Sequence, residues 1–313
     1  MADMETFYSV NSINLEKIRK DISIPVIREP LIPKNHKTIE SQFDIVLAQN
    51  KNGVFKRVDE VPRKCPFVDF TEVHDWINIE FDRIGLKYKL RKSVIEKRKM
   101  SLYQEYIFNK EVITPDGEGI APMVMVKASH SRSGSPLELH LGTYRFSCAN
   151  GAIVTVGDMT SIKITEANWN IYTDSKLHKM FIQLFDQYNL VSELYMKLAQ
   201  IKANDVFDTL FSDKLISLRL RKKVLEKLEM ENQIEITANF NDPIINRAML
   251  KSKYLTHEML VIPKNSISLN NNNMTLWDIY NDFTEQVTHS NKTSTGMLCG
   301  SKAVNHVFKS MIK

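Results

Sequence analysis

Apolar positions divide the 313-residue chain into stretches of different period. Residues 1–60 show no sustained period. Pro25, Pro30 and Pro33 interrupt long elements there, because proline lacks a backbone donor and fixes φ. This segment reads as an irregular arm with one short strand over 43–47. From Phe70 to Leu86 the period is helical, with Val73, Trp76, Ile77, Phe81 and Ile84 on one face as core. Thr71 is placed to cap that helix and Gly85 to stop it.

Strand-like runs follow over 87–94, 102–112, 123–128, 137–141, 144–147 and 153–156. Turn residues such as Thr114-Pro115-Asp116-Gly117 separate them. Runs 123–126 and 153–156 are apolar enough to be covered on both faces. From Lys176 the pattern is helical, in a long amphipathic series and then over 206–211, 215–230, 276–287 and 301–312. A block of strands followed by a block of helices predicts an α+β fold, an antiparallel sheet with helices followed by a C-terminal helical region. The expected organisation is an arm over 1–55, a sheet region with one helix over 56–165 and a helical region over 166–313. The last two are expected to pack into one compact domain.

Composition narrows the function classes. Hydrophobic residues at 43% and charged residues at 25% exclude wholesale disorder. No run of about 18 apolar residues marks a transmembrane helix, and Met1 to Val10 does not read as a secretory signal. Cys65, Cys148 and Cys299 are far apart and odd in number, so neither a disulfide framework nor a local zinc site is expected, and a reducing compartment fits. Phosphate-cradling glycine motifs and HExxH-type spacings are absent, so no cofactor and no metal is expected.

The net charge of +5 matters only where it is concentrated. Residues 83–99 hold Arg83, Lys87, Lys89, Arg91, Lys92, Lys97, Arg98 and Lys99 against one acid, Glu96. On a strand, Lys87, Lys89 and Arg91 share one face and Tyr88 and Leu90 the other. Tyr103 and Tyr106 follow. A positive sheet face beside aromatic rings suits single-stranded nucleic acid, with cations on phosphates and rings on bases. The same run equally suits a solvated edge strand guarded by lysines. On the first reading Lys87, Lys89, Arg91, Lys92, Lys97, Arg98 and Lys99 meet phosphates, Tyr88 or Tyr103 stacks, and Arg145 contributes. A secondary basic face is expected on helix 215–230, where Arg219, Arg221, Lys222, Lys223 and Lys227 lie outward and Leu218, Leu225 and Leu228 inward. Such a face is usually only solvated. His130 and His140 flank a hairpin-like loop, Asn150-Gly151 reads as a tight turn, and Cys148 reads as a buried structural thiol.

Two stretches carry a resemblance. The first runs from Val126 through Ser129-His130 and Gly134-Ser135 to Arg145, Cys148, Asn150 and Gly151. The second is Met274 to Glu285, with Trp277, Asn281, Thr284 and Glu285, followed by His289. Together they resemble the signature of the family called domain of unknown function 932, over about residues 55–313. Family members often carry Asp after the Ser-His pair. Here Ser131 and Arg132 stand instead, which weakens any metal or phosphate role for that loop. The resemblance implies a phage, plasmid or mobile-element context, often near replication or recombination functions, and no established enzymatic activity. The expectation is a non-enzymatic phage protein in the host cytoplasm that binds single-stranded DNA in replication, recombination or protection. Homo-oligomerisation and a host or phage protein partner stay open. The alternative is a phage interaction protein that blocks a host defence or replication factor, or an assembly component. An enzyme built on Ser129, His130, Arg145, Cys148 and Asn150 requires those residues to converge on one pocket.

Overall fold

The computed structural model describes residues 13–31, 42–50, 52–65, 67–96, 101–110, 114–117, 120–130, 136–145, 150–153, 161–164, 176–212, 215–236, 267–270, 273–290 and 294–312. The chain divides into two compact units interleaved in sequence. The first takes residues 1–111, 121–143 and 157–188, and the second 112–120, 144–156 and 189–313.

The first unit corrects the reading of the N-terminal residues as an irregular arm. It opens with helix α1 (Leu15–Ile22), capped by the Asn14 side chain, which accepts from the Lys17 amide at 2.9 Å. An antiparallel sheet follows, in the order β1 (Val26–Pro30), β2 (Phe43–Gln49), β3 (Phe55–Pro62). The prolines do not prevent it because they sit at boundaries. Pro25 precedes β1, Pro30 ends it and Pro62 ends β3, and both are outer strands whose ladder tolerates a missing donor. Pro33 lies outside the described residues.

Helix α2 (Phe70–Ile84) is capped two residues before the expected Thr71. Asp69 is the cap, its carboxylate accepting from the Thr71 and Glu72 amides at 2.7 and 3.2 Å. A carboxylate there meets both the open amides and the positive end of the helix dipole. Gly85 ends α2 at φ 76°, a left-handed conformation that favours glycine.

The larger sheet of this unit runs β4 (Tyr88–Glu96), β5 (Ser101–Phe108), β6 (Ile120–Ser129) and β7 (Leu137–Arg145), with β9 (Ser161–Ile164) antiparallel to β7. Met123 to Val126 on β6 are fully buried, as their unbroken apolar run predicts. β7 is continuous across the gap that the sequence places at Gly142-Thr143. That glycine lets a ring approach the strand. The Tyr188 hydroxyl donates to the Gly142 carbonyl at 2.7 Å and accepts from the Met123 amide at 3.0 Å. Phe81 of α2 centres an aromatic core, edge-on to Tyr88, Tyr106 and Phe108 and to Phe181 of α3 (Lys176–Asp186).

The second unit is mainly helical. It contains α4 (Tyr188–Gln200) from Asn189 onward, α5 (Ala203–Ser212), α6 (Leu218–Met230), α7 (Leu276–Ser290) and α8 (Ser294–Met311). With them are β8 (Asn150–Ile153) and the antiparallel pair β10 (Ile234–Ile236) and β11 (Ile267–Leu269). Tyr195, Trp277, Tyr280, Phe283 and Phe308 form its core, and the Tyr280 hydroxyl bonds Asn305 at 2.9 Å. α8 begins seven residues before the expected Ser301, because Gly296 and Gly300 break the apolar pattern without breaking the helix. Asn150-Gly151 begins a strand instead of forming the expected tight turn, and neither residue has positive φ. The fold is α+β, with antiparallel sheets and a helical C-terminal region. No described helix is long and apolar enough to cross a membrane.

Candidate nucleic-acid interface

β4 is the terminal strand of its sheet and pairs antiparallel with β5. The alternation expected along it is broken by a bulge. Leu90 pairs Tyr106 and Lys92 pairs Glu105, so Arg91 is the extra residue. The bulge turns two successive cations toward one acid. Glu105, only 1% exposed, forms an ion pair with Arg91, lies 3.8 Å from Lys92 Nζ, and accepts from the Tyr103 hydroxyl at 2.8 Å. A buried carboxylate needs this compensation. Arg91 and Lys92 are thus partly committed to the fold, and Lys92 also sits 5.5 Å from the Tyr103 ring centroid.

Neither candidate ring is displayed as expected. Tyr103 is 1% exposed, and burial, with Glu105 beside it, pushes its hydroxyl pKa well up. It is a donor to Glu105, which corrects its assignment as a stacking platform. Tyr88 is half-buried against Phe81 and Tyr106, and burial also raises its pKa. Lys87 is exposed and Lys89 half-buried, while Lys97, Arg98 and Lys99 lie outside the described residues. Arg145 ends β7, and nothing is described of its side chain.

The other face of β4 and β5 closes over a polar network beneath α2. His74 Nδ1 lies 3.0 Å from Gln104 Nε2 and 3.1 Å from the Tyr106 hydroxyl, and Gln104 also donates to Ser93 at 3.3 Å. Burial, opposed by the Gln104 hydrogen bond, lowers the His74 pKa.

A feature with no signal in the sequence lies beside β4. A groove of about 800 Å³ runs between α1, the β2–β3 hairpin and β4. Ile18, Ile22, Ala48 and Ile95 form its floor, and Gln49, Lys56, Arg57 and Ser93 its rim, with Asp21 the acid that joins them. Ile95, near the end of β4, lines this groove, and Lys97, Arg98 and Lys99 follow β4 in sequence, outside the described residues. Sequence reasoning missed Lys56 and Arg57 because they belong to an ordinary-looking segment; only the three-dimensional neighbourhood groups them with β4.

The secondary basic face is divided by the fold. Arg221 is 1% exposed and donates to the Phe211 carbonyl, so it is not outward as expected. Lys227 is held by Asp282 at 2.6 Å and Glu285 at 2.5 Å, and Lys222 pairs with Glu226 at 3.9 Å. Arg219 and Lys223 stay on the surface of α6, exposed and half-buried respectively.

Several signature side chains make hydrogen bonds, ion pairs or ring contacts. The Ser129 hydroxyl accepts from Ser101 at 3.0 Å. His130 is stacked on Phe70 at 4.3 Å and Phe67 at 5.1 Å, and burial pushes its pKa down to about 4 despite Asp69 nearby. His140, fully buried, meets Glu138 at 3.0 Å. In the second unit Trp277 Nε1 donates to Asp116 at 3.0 Å, so the Thr-Pro-Asp-Gly turn anchors the signature tryptophan. Thr284 donates to the Asn281 carbonyl at 2.9 Å, Glu285 takes Lys227, and His289 is exposed in the last turn of α7. Ser129 and His130 belong to the first unit and Asn150 and Gly151 to the second; Cys148 lies outside the described residues. Among the described residues no group of three or more His, Cys, Asp or Glu is placed to hold a metal.

The family described as Domain of unknown function (DUF932) matches residues 69–309, well over half of the chain. This chain belongs to that family. The match covers α2 through nearly all of α8, and leaves α1 and β1 to β3 outside it. The groove is therefore lined on one side by residues of the family region and on the other by residues preceding it. No curated protein and no solved structure matches the chain.

Proposed function

We propose that this member of the family is a non-enzymatic protein of the host cytoplasm that binds single-stranded DNA in phage replication, recombination or DNA protection. The observation that carries the reading is the groove beside β4, with Lys56 and Arg57 on its rim and the Lys97-Arg98-Lys99 segment following its β4 wall. Lys87 and Lys89 extend the same run of cations. With Tyr103 buried, recognition is chiefly electrostatic and indifferent to base sequence.

Fluorescence anisotropy with a labelled oligonucleotide at low salt tests this. The expected result is binding that weakens at least tenfold when Lys56, Lys89, Lys97 and Arg98 are all changed to alanine. No binding at low salt, or binding unchanged in that variant, overturns the reading.

The apolar floor of the groove favours a second reading, an interaction protein that takes a protein segment against Ile18, Ile22 and Ile95. Absent DNA binding, with a stoichiometric host partner that is lost in Ile95→Asp, would select it.

A further inference from the structure

The β2–β3 hairpin ends in a tip held by its own side chains. Asn50 Oδ1 accepts from the Asn52 and Val54 amides at 2.9 and 3.0 Å, and Gln49 Nε2 donates to the Gly53 carbonyl at 2.9 Å. Gly53, at φ 79°, takes the left-handed position that the turn requires. The Asn50 amide donates to the Val54 carbonyl at 2.9 Å and closes the reversal. A tip fixed in this way presents its side chains at little further ordering cost.

What it presents is apolar. Val54 is 55% and Phe55 38% exposed, side by side in sequence. Phe55 and Phe67 are the exposed aromatic rings among the described residues. Phe67 is stacked on His130, whereas Phe55 has no ring contact among those residues. Lys56 follows and lines the β4 groove, which Phe55 adjoins without lining. Successive residues of a strand face opposite sides, so the ring and the ammonium stand on either side of β3, an outer strand of its sheet. Residues 52–57 hold Lys56 and Arg57 and no acid. Arg57 pairs with Glu60, while no ion pair holds Lys56 among the described residues.

An exposed ring next to an unpaired ammonium matches the two parts of a single-stranded nucleic acid. The base stacks on a ring and the phosphate takes a cation. A duplex offers its phosphates alone, because its bases are already stacked on one another. We propose that Phe55 is the stacking platform of the interface, the role from which burial removes Tyr103. A strand leaving the groove over the outer edge of β3 lays one unpaired base on the Phe55 ring, with the adjoining phosphate at Lys56. This role rests on the single-stranded DNA reading above, and makes Phe55 the residue that distinguishes unpaired from paired DNA.

Anisotropy of the full chain at low salt is compared on a labelled oligothymidylate and on a strand of the same length carrying abasic sites. The second keeps the phosphates and lacks the bases. Phe55→Ala, with an unchanged melting temperature, is expected to bind oligothymidylate at least fivefold more weakly. Its binding of the abasic strand and of duplex DNA is expected to stay within about twofold of native. Phe55→Leu is expected to behave like Phe55→Ala. Phe55→Trp is expected to bind like the native chain, its added tryptophan emission quenched by oligothymidylate and not by the abasic strand. Where Phe55→Ala melts lower, the comparison is made between Phe55→Leu and Phe55→Trp. Equal losses on both strands, no loss on either, or full affinity in Phe55→Leu each overturns the proposal and leaves the DNA reading standing. No binding of any strand by the native chain overturns both.

Discussion

Glu105 and His130 show how single side chains acquire their roles from burial. Glu105 is the one charged residue of β5, and at 1% exposure it has Arg91, Lys92 and Tyr103 turned toward it. His130 is stacked on Phe70 and Phe67, and burial there disfavours its charged form. Burial lowers its pKa from 6.5 to about 4, with Arg28 acting in the same direction and Asp69 against it. The unfolded chain therefore binds this proton first. The contribution of His130 is fully present above pH 6.5, is lost as pH falls from 6.5 to 4, and levels off below. The loss is on the order of 3 kcal/mol at the bottom of that window. His74 shifts in the same direction. Urea midpoints at pH 7.5, 5.5 and 4 are expected to fall less in His130→Phe than in the native chain. Parallel curves for the two proteins would contradict the assignment.

Elements carry the next level of explanation. The β4 bulge converts a simple alternation into two adjacent cations on one side, a displacement of one residue that no periodicity announces. Helix α6 shows the same limit. Its apolar positions are legible, and Leu220, Val224, Leu225 and Leu228 are buried, but Arg221 is buried with them. A buried guanidinium is visible only once the Phe211 carbonyl that receives it is in place. Lys227 joins α6 to α7 through Asp282 and Glu285, and its pKa rises because the two carboxylates outweigh the opposing effect of burial. Asp282 shifts upward, burial outweighing its cation. Lys227→Met leaves a largely buried carboxylate without its partner and is expected to cost about 1–3 kcal/mol in urea unfolding. Adding Asp282→Asn is expected to recover part of the loss. A double variant as unstable as the sum of the two single changes would show that the pair is not coupled.

At the scale of the whole molecule, 42 basic residues face 37 acidic ones, so any strong anion binding must come from local concentration. Six candidates, Lys56, Lys87, Lys89, Lys97, Arg98 and Lys99, set the number of phosphates the proposed interface can neutralise. For single-stranded DNA the slope of log affinity against log salt is then about −4, from roughly 0.7 per phosphate. A salt titration by anisotropy checks this, and a slope near zero or steeper than about −7 would place binding elsewhere.

The order of strands and helices, the α+β class, the family and the main core positions were legible in the residues themselves. Each rests on local information: periodicity, turn chemistry and two short signatures. Phe81, Met123 to Val126 and Gly85 took the places their neighbours in sequence predict. The N-terminal sheet was not legible, because Pro25, Pro30 and Pro62 read as breakers until their positions at strand ends are known. The candidate site was least legible. A run of cations has the same appearance in sequence whether it faces solvent, a ligand or Glu105. Tertiary structure decided that question, because it alone sets which groups lose water together and which charges must then be paired. The same step assembled the β4 groove from segments as far apart in sequence as Ile18 and Ile95, and gave the face of α8 that carries Gly296 and Gly300 a cavity to line.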